Sequence, residues 1–198
     1  MHPSIPDRIR YVRAVIELQD SSGILPRRRP TPVARGRISV SATEDSVMTT
    51  DESYVRRAIE LSESAVEHGN TPFGSLLVVD DEVIRTAENT TLTDDDIAAH
   101  PELELARWTA SELEPAERES CTMYTSTEPC PMCASAIVYA GLGRVVYSVS
   151  VDSLASLRND GVIEIPCEEV VDRAGGSTTV EGPVLEDEGL AVHEAYFQ

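Results

Sequence analysis

The stretch "STEPCPMCASA", Ser126–Ala136, carries two of the chain's four cysteines three positions apart, with Pro129 before the first and Pro131 directly after it. Proline suits the first position of a helix, where its missing N–H leaves no hydrogen bond unmade. Cys130 and Cys133 therefore open a helix, and the positive end of that helix lowers thiol pKa and favours the thiolate that ligates metals. Two such thiolates can grip one ion, but a closed structural site would need two further Cys or His ligands.

The other cysteines do not provide a second pair: Cys121 begins an apolar run and Cys167 stands alone after Pro166, so both read as small core or loop residues. Of the four histidines, His2 lies in a polar leading segment, His68 at the end of a predicted helix and His193 among acids near the C-terminus. His100 is different. In "AAHPELELARW", Ala98–Trp108, it precedes a proline at the first helical position, with Glu102 in the first turn. Leu103, Ala106, Ala110 and Leu113 give that helix its expected buried stripe. Two helix N-termini would then converge on one ion. One His and two Cys leave a fourth tetrahedral position open, the arrangement of a catalytic zinc. A redox role for Cys130-x-x-Cys133 would leave "HPE" without a purpose.

Working outward, Met48–Gly69 reads as a capped amphipathic helix with Tyr54, Val55, Ala58, Ile59, Ala65 and Val66 on its apolar face. "FGSLLVVD" and "EVIRTAEN" read as two strands of a hairpin turning at Asp80-Asp81. After the helix at Pro101, "CTMYTST" and "RVVYSVSV" read as buried strands on either side of the helix that ends at Gly141, and a last helix is expected from about Pro183. The order α-β-β-α-β-α-β predicts a sheet between helical layers, with parallel crossovers in its second half.

The chain has 198 residues, a length suited to one good core. No apolar run approaches the ~18 residues of a membrane span, and the first twenty residues lack a signal-peptide core. The expected location is cytoplasmic, where four cysteines are poor disulfide candidates. Charge is unevenly placed. Residues 1–47 hold 8 Arg against 5 acids, whereas residues 48–198 hold 8 Arg against 30 acids, and no lysine occurs anywhere. Residues 1–47 show no sustained period apart from a short candidate helix at Ile9–Leu18, and read as a disordered basic extension or a mis-assigned start, with Met48 the alternative start. Residues 48–198 form the expected domain. An acidic, lysine-free surface fits a halophilic host; at molar salt the Debye length is ~3 Å, so this charge attracts or repels little at range.

"HPE", followed 26 residues later by "PCPMC", resembles the paired motif of the cytidine-deaminase-like zinc hydrolases, and "TPFGSLLV" and "AENTT" resemble segments of the branch holding guanine deaminases and tRNA adenosine deaminases. The likeness runs over about residues 50–150; where the branch usually has Ala, this chain has Pro101. The resemblance implies an α/β fold, a three-layer α-β-α sandwich around a mixed sheet of about five strands. It implies one Zn2+ per chain on His100, Cys130 and Cys133, with Glu102 as the catalytic proton carrier. Asn89 matches the position that binds base or ribose; Phe73 and the backbone near Pro129 are further substrate-contact candidates, and Tyr196 and Phe197 could stack on a base. Phe73 also has a plain reading as core, and Asn89 as a turn residue. The expected substrate is a free nucleobase or nucleoside, guanine first. A tRNA substrate is the alternative, disfavoured because phosphate contacts normally come from Lys and Arg. A zinc-stabilised binding module without catalysis is the third reading, and Glu102 argues against it. No membrane partner is expected, and a homodimer is implied by the resemblance alone.

Overall fold

The computed structural model describes residues 51–158 and 161–198. The readings of residues 1–47 as an extension and of Ile9–Leu18 as a helix lie outside the described residues. Twelve elements follow in chain order: α1 (Asp51–Glu67), β1 (Gly74–Val79), β2 (Glu82–Glu88), α2 (Pro101–Glu112), α3 (Pro115–Ser120), β3 (Thr122–Thr127), α4 (Pro131–Ala140), β4 (Arg144–Val149), α5 (Val151–Leu157), α6 (Cys167–Ala174), β5 (Thr179–Glu181) and α7 (Glu186–Phe197).

The five strands form one mixed sheet in the order β2-β1-β3-β4-β5. β1 runs antiparallel to both β2 and β3, while β3, β4 and β5 are parallel. The hairpin turns where expected: Asp80 and Asp81 both have positive φ, 51° and 60°, the backbone of a turn whose twist matches that of its strands.

Strand alternation sorts the core into two faces. Leu76, Val78, Tyr124 and Val146 pack with Tyr54, Val55, Ala58 and Ile59 of α1. Their neighbours Leu77, Met123 and Val145 point the other way, against Leu105 and Ala106 of α2 and Ile137 and Ala140 of α4. β1 and β3 are buried on both sides for this reason. α7 lies beside α1 and β4, and α6 packs on α4 through Cys167, Val171 and Ala134. The result is the expected three-layer α/β sandwich with five strands.

The structure departs from the sequence reading in detail. It adds α3, α5, α6 and β5, and the last helix begins at Glu186 rather than near Pro183. α5 has seven residues, too short to display a period; α6 has eight, with Cys167, Val170, Val171 and Ala174 at helical spacing as its one signal; and β5 is a three-residue strand whose side chains are mostly exposed. The buried stripe of α2 is Glu102, Leu105, Ala106 and Thr109, not Leu103, Ala106, Ala110 and Leu113. Ala110 is exposed. Turning Glu102 inward rotates the helix so that its i, i+3, i+4 and i+7 neighbours face the sheet.

Candidate active site

The parallel strands β3 and β4 end at Thr127 and Val149, and β2, which runs in the same direction, ends beside Asn89. β1 runs the opposite way and begins there, just after Phe73. Chain crevices at the carboxyl ends of such strands are where α/β folds place their ligands. The helices supply the rest. His100 is the N-cap of α2 with Pro101 behind it, and Cys130 is the N-cap of α4 with Pro131 behind it.

These caps bring three ligand atoms together. His100 Nδ1 lies 3.5 Å from Cys133 Sγ and 3.8 Å from Cys130 Sγ. All three ligand atoms fall within 4.8 Å of one another, and this is the only such group among the described residues. A tetrahedral zinc with ordinary Zn–S and Zn–N bonds requires N···S separations of about 3.6 Å. The residues therefore fit the ion. Their acid-base chemistry agrees: the hydrogen bond from Cys133, with His100 alongside, holds the Cys130 thiol down at about 4, while the bond to Cys130, burial and Glu102 push Cys133 up. The lowered Cys130 is the thiolate-forming member of the pair, and a cation seated between the two sulfurs and His100 would favour the thiolate at both. His100 is raised, first by its bond to Cys130. Cys121 and Cys167 are buried in separate apolar clusters and take no part in this group.

Glu102 is 5% exposed. Its Oε1 accepts hydrogen bonds from Ser75 Oγ at 2.9 Å and Thr125 Oγ1 at 2.8 Å. Burial raises its pKa, while His100, Thr125 and Ser75 act in the opposite direction. Burial thus moves the carboxyl group toward its protonated form, the direction that suits a group which both takes and returns a proton.

His100, Glu102 and Cys130 line a cavity of about 410 Å3, together with Phe73, Asn89, Thr91 and Thr127 and with Leu154, Arg158, Val162 and Ile163. That volume lies within the range of small-molecule sites, ~300 to 1,000 Å3. Asn89 is buried, and its Oδ1 accepts hydrogen bonds from both the N–H and the hydroxyl of Thr91, at 3.0 and 2.7 Å. Its NH2 group is left as the end available to a ligand. Phe73 lines the cavity and also packs on His193. Pro129 is buried and does not line the cavity, whereas Pro131 does. Tyr196 faces a separate groove between α1 and α7, and Phe197 stacks on His193.

Glu128 has a role that the sequence did not suggest. Its two carboxylate oxygens accept the backbone N–H groups of Val151, at 2.8 Å, and Cys167, at 2.7 Å. It thus ties the loop before Cys130 to the starts of α5 and α6. Sequence reasoning also missed Ser75, Thr125, Thr127 and Arg158. The one available signal was the alternation in "TMYTST", which puts Thr125 and Thr127 on the same side of a strand leading into the cysteines.

Residues 48–149 match the family described as "Cytidine and deoxycytidylate deaminase zinc-binding region". A probable cytosine deaminase of Schizosaccharomyces pombe is 34% identical over 166 residues, covering 80% of this chain and 98% of that protein. A tRNA-specific adenosine deaminase of Bacillus subtilis is 37% identical over 100 residues, covering 50% of this chain and 62% of that protein. Among solved structures, a guanine deaminase from Nitrosomonas europaea shares the fold, with a TM-score of 0.63 at 21% identity over 78% of this chain and 88% of that one. No described helix is long and apolar enough to cross a membrane.

Proposed function

This chain belongs to the zinc-binding cytidine and deoxycytidylate deaminase family and is a hydrolytic deaminase; from that premise we propose that it acts on a free nucleobase, replacing an exocyclic amine by oxygen and releasing ammonia. The observation that carries this reading is the meeting of His100, Cys130 and Cys133 in one group, with His100, Cys130 and Glu102 on the wall of one base-sized cavity. His100, Cys130 and Cys133 hold one zinc ion per chain. When bound, the ion supplies the Lewis acidity that makes water a nucleophile at neutral pH.

The chain's own residues do the remaining work. Glu102 takes a proton from the attacking water and delivers it to the ring nitrogen beside the amine, then takes the second proton from the added hydroxyl as the carbonyl forms and delivers it to the amine as ammonia leaves. Ser75 and Thr125 fix its Oε1 throughout, so proton traffic falls to the other oxygen. Asn89 offers its NH2 group to an acceptor on the base, and Phe73 supplies an aromatic wall.

Guanine is the first substrate to expect, from the branch that "AENTT" resembles. Cytosine is a second reading, supported by one observation: the probable cytosine deaminase of S. pombe aligns over nearly its whole length. Adenosine in tRNA has weaker support, because among the described residues Arg158 is the only arginine lining the cavity and residues 48–198 carry a net charge of −22. We assign residues 48–198 to the deaminase domain and place the enzyme in the cytoplasm as a homodimer. The test is ammonia release in high salt from guanine, cytosine, adenine, their nucleosides and an anticodon stem-loop. Turnover of a free base is the expected result. Activity confined to the stem-loop would overturn it.

A further inference from the structure

His193, on α7, is enclosed: it is 1% exposed and its ring lies against Phe73 and Phe197, at centroid distances of 5.3 and 6.0 Å. Its Nε2 stands 2.8 Å from Thr127 Oγ1, while its Nδ1 is buried with no hydrogen-bond partner. Burial, reinforced by Arg158, lowers the pKa of the ring to about 4. At neutral pH the ring is therefore uncharged and carries a single N–H, which leaves two possible arrangements.

If the Thr127 hydroxyl donated to Nε2, the ring's only N–H would sit on Nδ1, a buried donor without a partner. If Nε2–H donates to Thr127, the bare atom is Nδ1 as an acceptor. Orphaned buried N–H groups are the rarer of the two in folded proteins. The second arrangement also frees the Thr127 hydroxyl hydrogen. No protein acceptor takes that hydrogen among the described residues, and Thr127 lines the cavity.

We propose that His193 is a positioning residue whose Nε2–H fixes Thr127 as a hydrogen-bond donor to the substrate, so that Thr127 and the Asn89 NH2 group together select a base bearing a carbonyl oxygen. This rests on the nucleobase reading above and goes beyond it in naming the chemical class. A carbonyl oxygen has two lone pairs and can accept from both donors, whereas a ring nitrogen has one and accepts from only one. Guanine and cytosine carry such an oxygen. Adenine does not. The opposite tautomer would turn Thr127 into an acceptor and favour a base edge rich in N–H groups.

Two measurements test it on the full-length, zinc-loaded protein. Long-range 1H–15N correlation spectra assign the His193 tautomer: Nε2–H is expected, and Nδ1–H overturns the proposal. In kinetics on guanine and cytosine, Thr127→Val should raise KM by about 5- to 10-fold, the loss of one neutral hydrogen bond, while kcat holds. Thr127→Ser, which keeps the hydroxyl, should restore KM. An unchanged KM in Thr127→Val overturns the proposal, as does wild-type protein that prefers adenine. Wild-type protein that holds zinc and deaminates no base removes the nucleobase reading and the selection with it, while an Nε2–H resonance would still place His193 as donor to Thr127.

Discussion

Thr125 Oγ1 lies 2.8 Å from Glu102 Oε1 and 3.0 Å from the Thr127 carbonyl oxygen, so the strand that carries both threonines also seats the acid-base carboxyl group. Ser75, on the neighbouring strand, reaches both Thr125 and Glu102. Replacing the hydroxyl by a methyl group keeps the volume and removes the seat. Thr125→Val is expected to lower kcat about tenfold, the scale of one buried hydrogen bond to a charged group, with KM little changed. Steady-state kinetics on the preferred base check this, and a change confined to KM would mean that Thr125 serves binding instead. Glu102→Gln keeps the shape of the site and removes proton transfer. It should retain zinc and the wild-type circular dichroism spectrum while losing ~10² to 10⁴-fold or more in kcat.

The ligand assignment is checked by metal analysis. Wild-type protein and the Cys121→Ser/Cys167→Ser double variant should each bind one zinc per chain, because both of those thiols sit in apolar clusters away from His100. Burial pushes each of them up to about 12, which suits a small apolar residue and not a thiolate ligand. Cys133→Ser and His100→Ala should lose stoichiometric zinc. Zinc loss in the double variant would refute the three-residue set.

How much of this was legible depends on whether the signal is local. His100, Glu102, Cys130 and Cys133 announce themselves because each pair sits within one helical turn beside a proline that marks the helix start. The same locality revealed the Asp80-Asp81 turn and the buried strands. The stripe of α2 was misread because counting apolar residues favours Leu103 and Ala110, whereas the fold turns the carboxyl group of Glu102 inward and the helix with it. His193 was invisible for a different reason. Its neighbours Phe73 and Thr127 lie 120 and 66 positions away in the sequence, and only the packing of α7 against the sheet brings them together. Arg158, Val162 and Ile163 follow α5, a helix too short to leave a period.

Glu128 separates scaffold from chemistry. Its carboxylate satisfies two buried backbone N–H groups at the starts of α5 and α6, so Glu128→Ala leaves both without partners. Each unsatisfied group costs about 1–3 kcal/mol. A destabilisation of at least that size is expected in denaturant unfolding, with activity lost in proportion to the folded fraction. Stability equal to wild type, combined with loss of kcat, would instead give Glu128 a direct part in the reaction.

The pH dependence of folding has a traceable source at the start of α1. Arg144 binds Asp51 through both terminal nitrogens, at 2.9 and 2.8 Å, and Tyr124 donates its hydroxyl to the same carboxylate at 2.6 Å. The hydrogen bond from Arg144 is the main cause that lowers Asp51 from 3.8 to about 2, with burial opposing it. A carboxyl group depressed in the folded state contributes stability above its ordinary pKa, and that contribution is lost as pH falls from about 4 through about 2. The Asp51 side chain is 42% exposed, so solvent screening limits the contribution to about 1 kcal/mol. Asp51→Asn should therefore lower Tm by a few degrees at pH 7 and fixed salt, and the gap from wild type should close between about pH 5 and pH 2. Comparing the two proteins at each pH cancels the effect of zinc release, which both share. A gap of constant size down to pH 2 would show that the ion pair with Arg144 is not its origin.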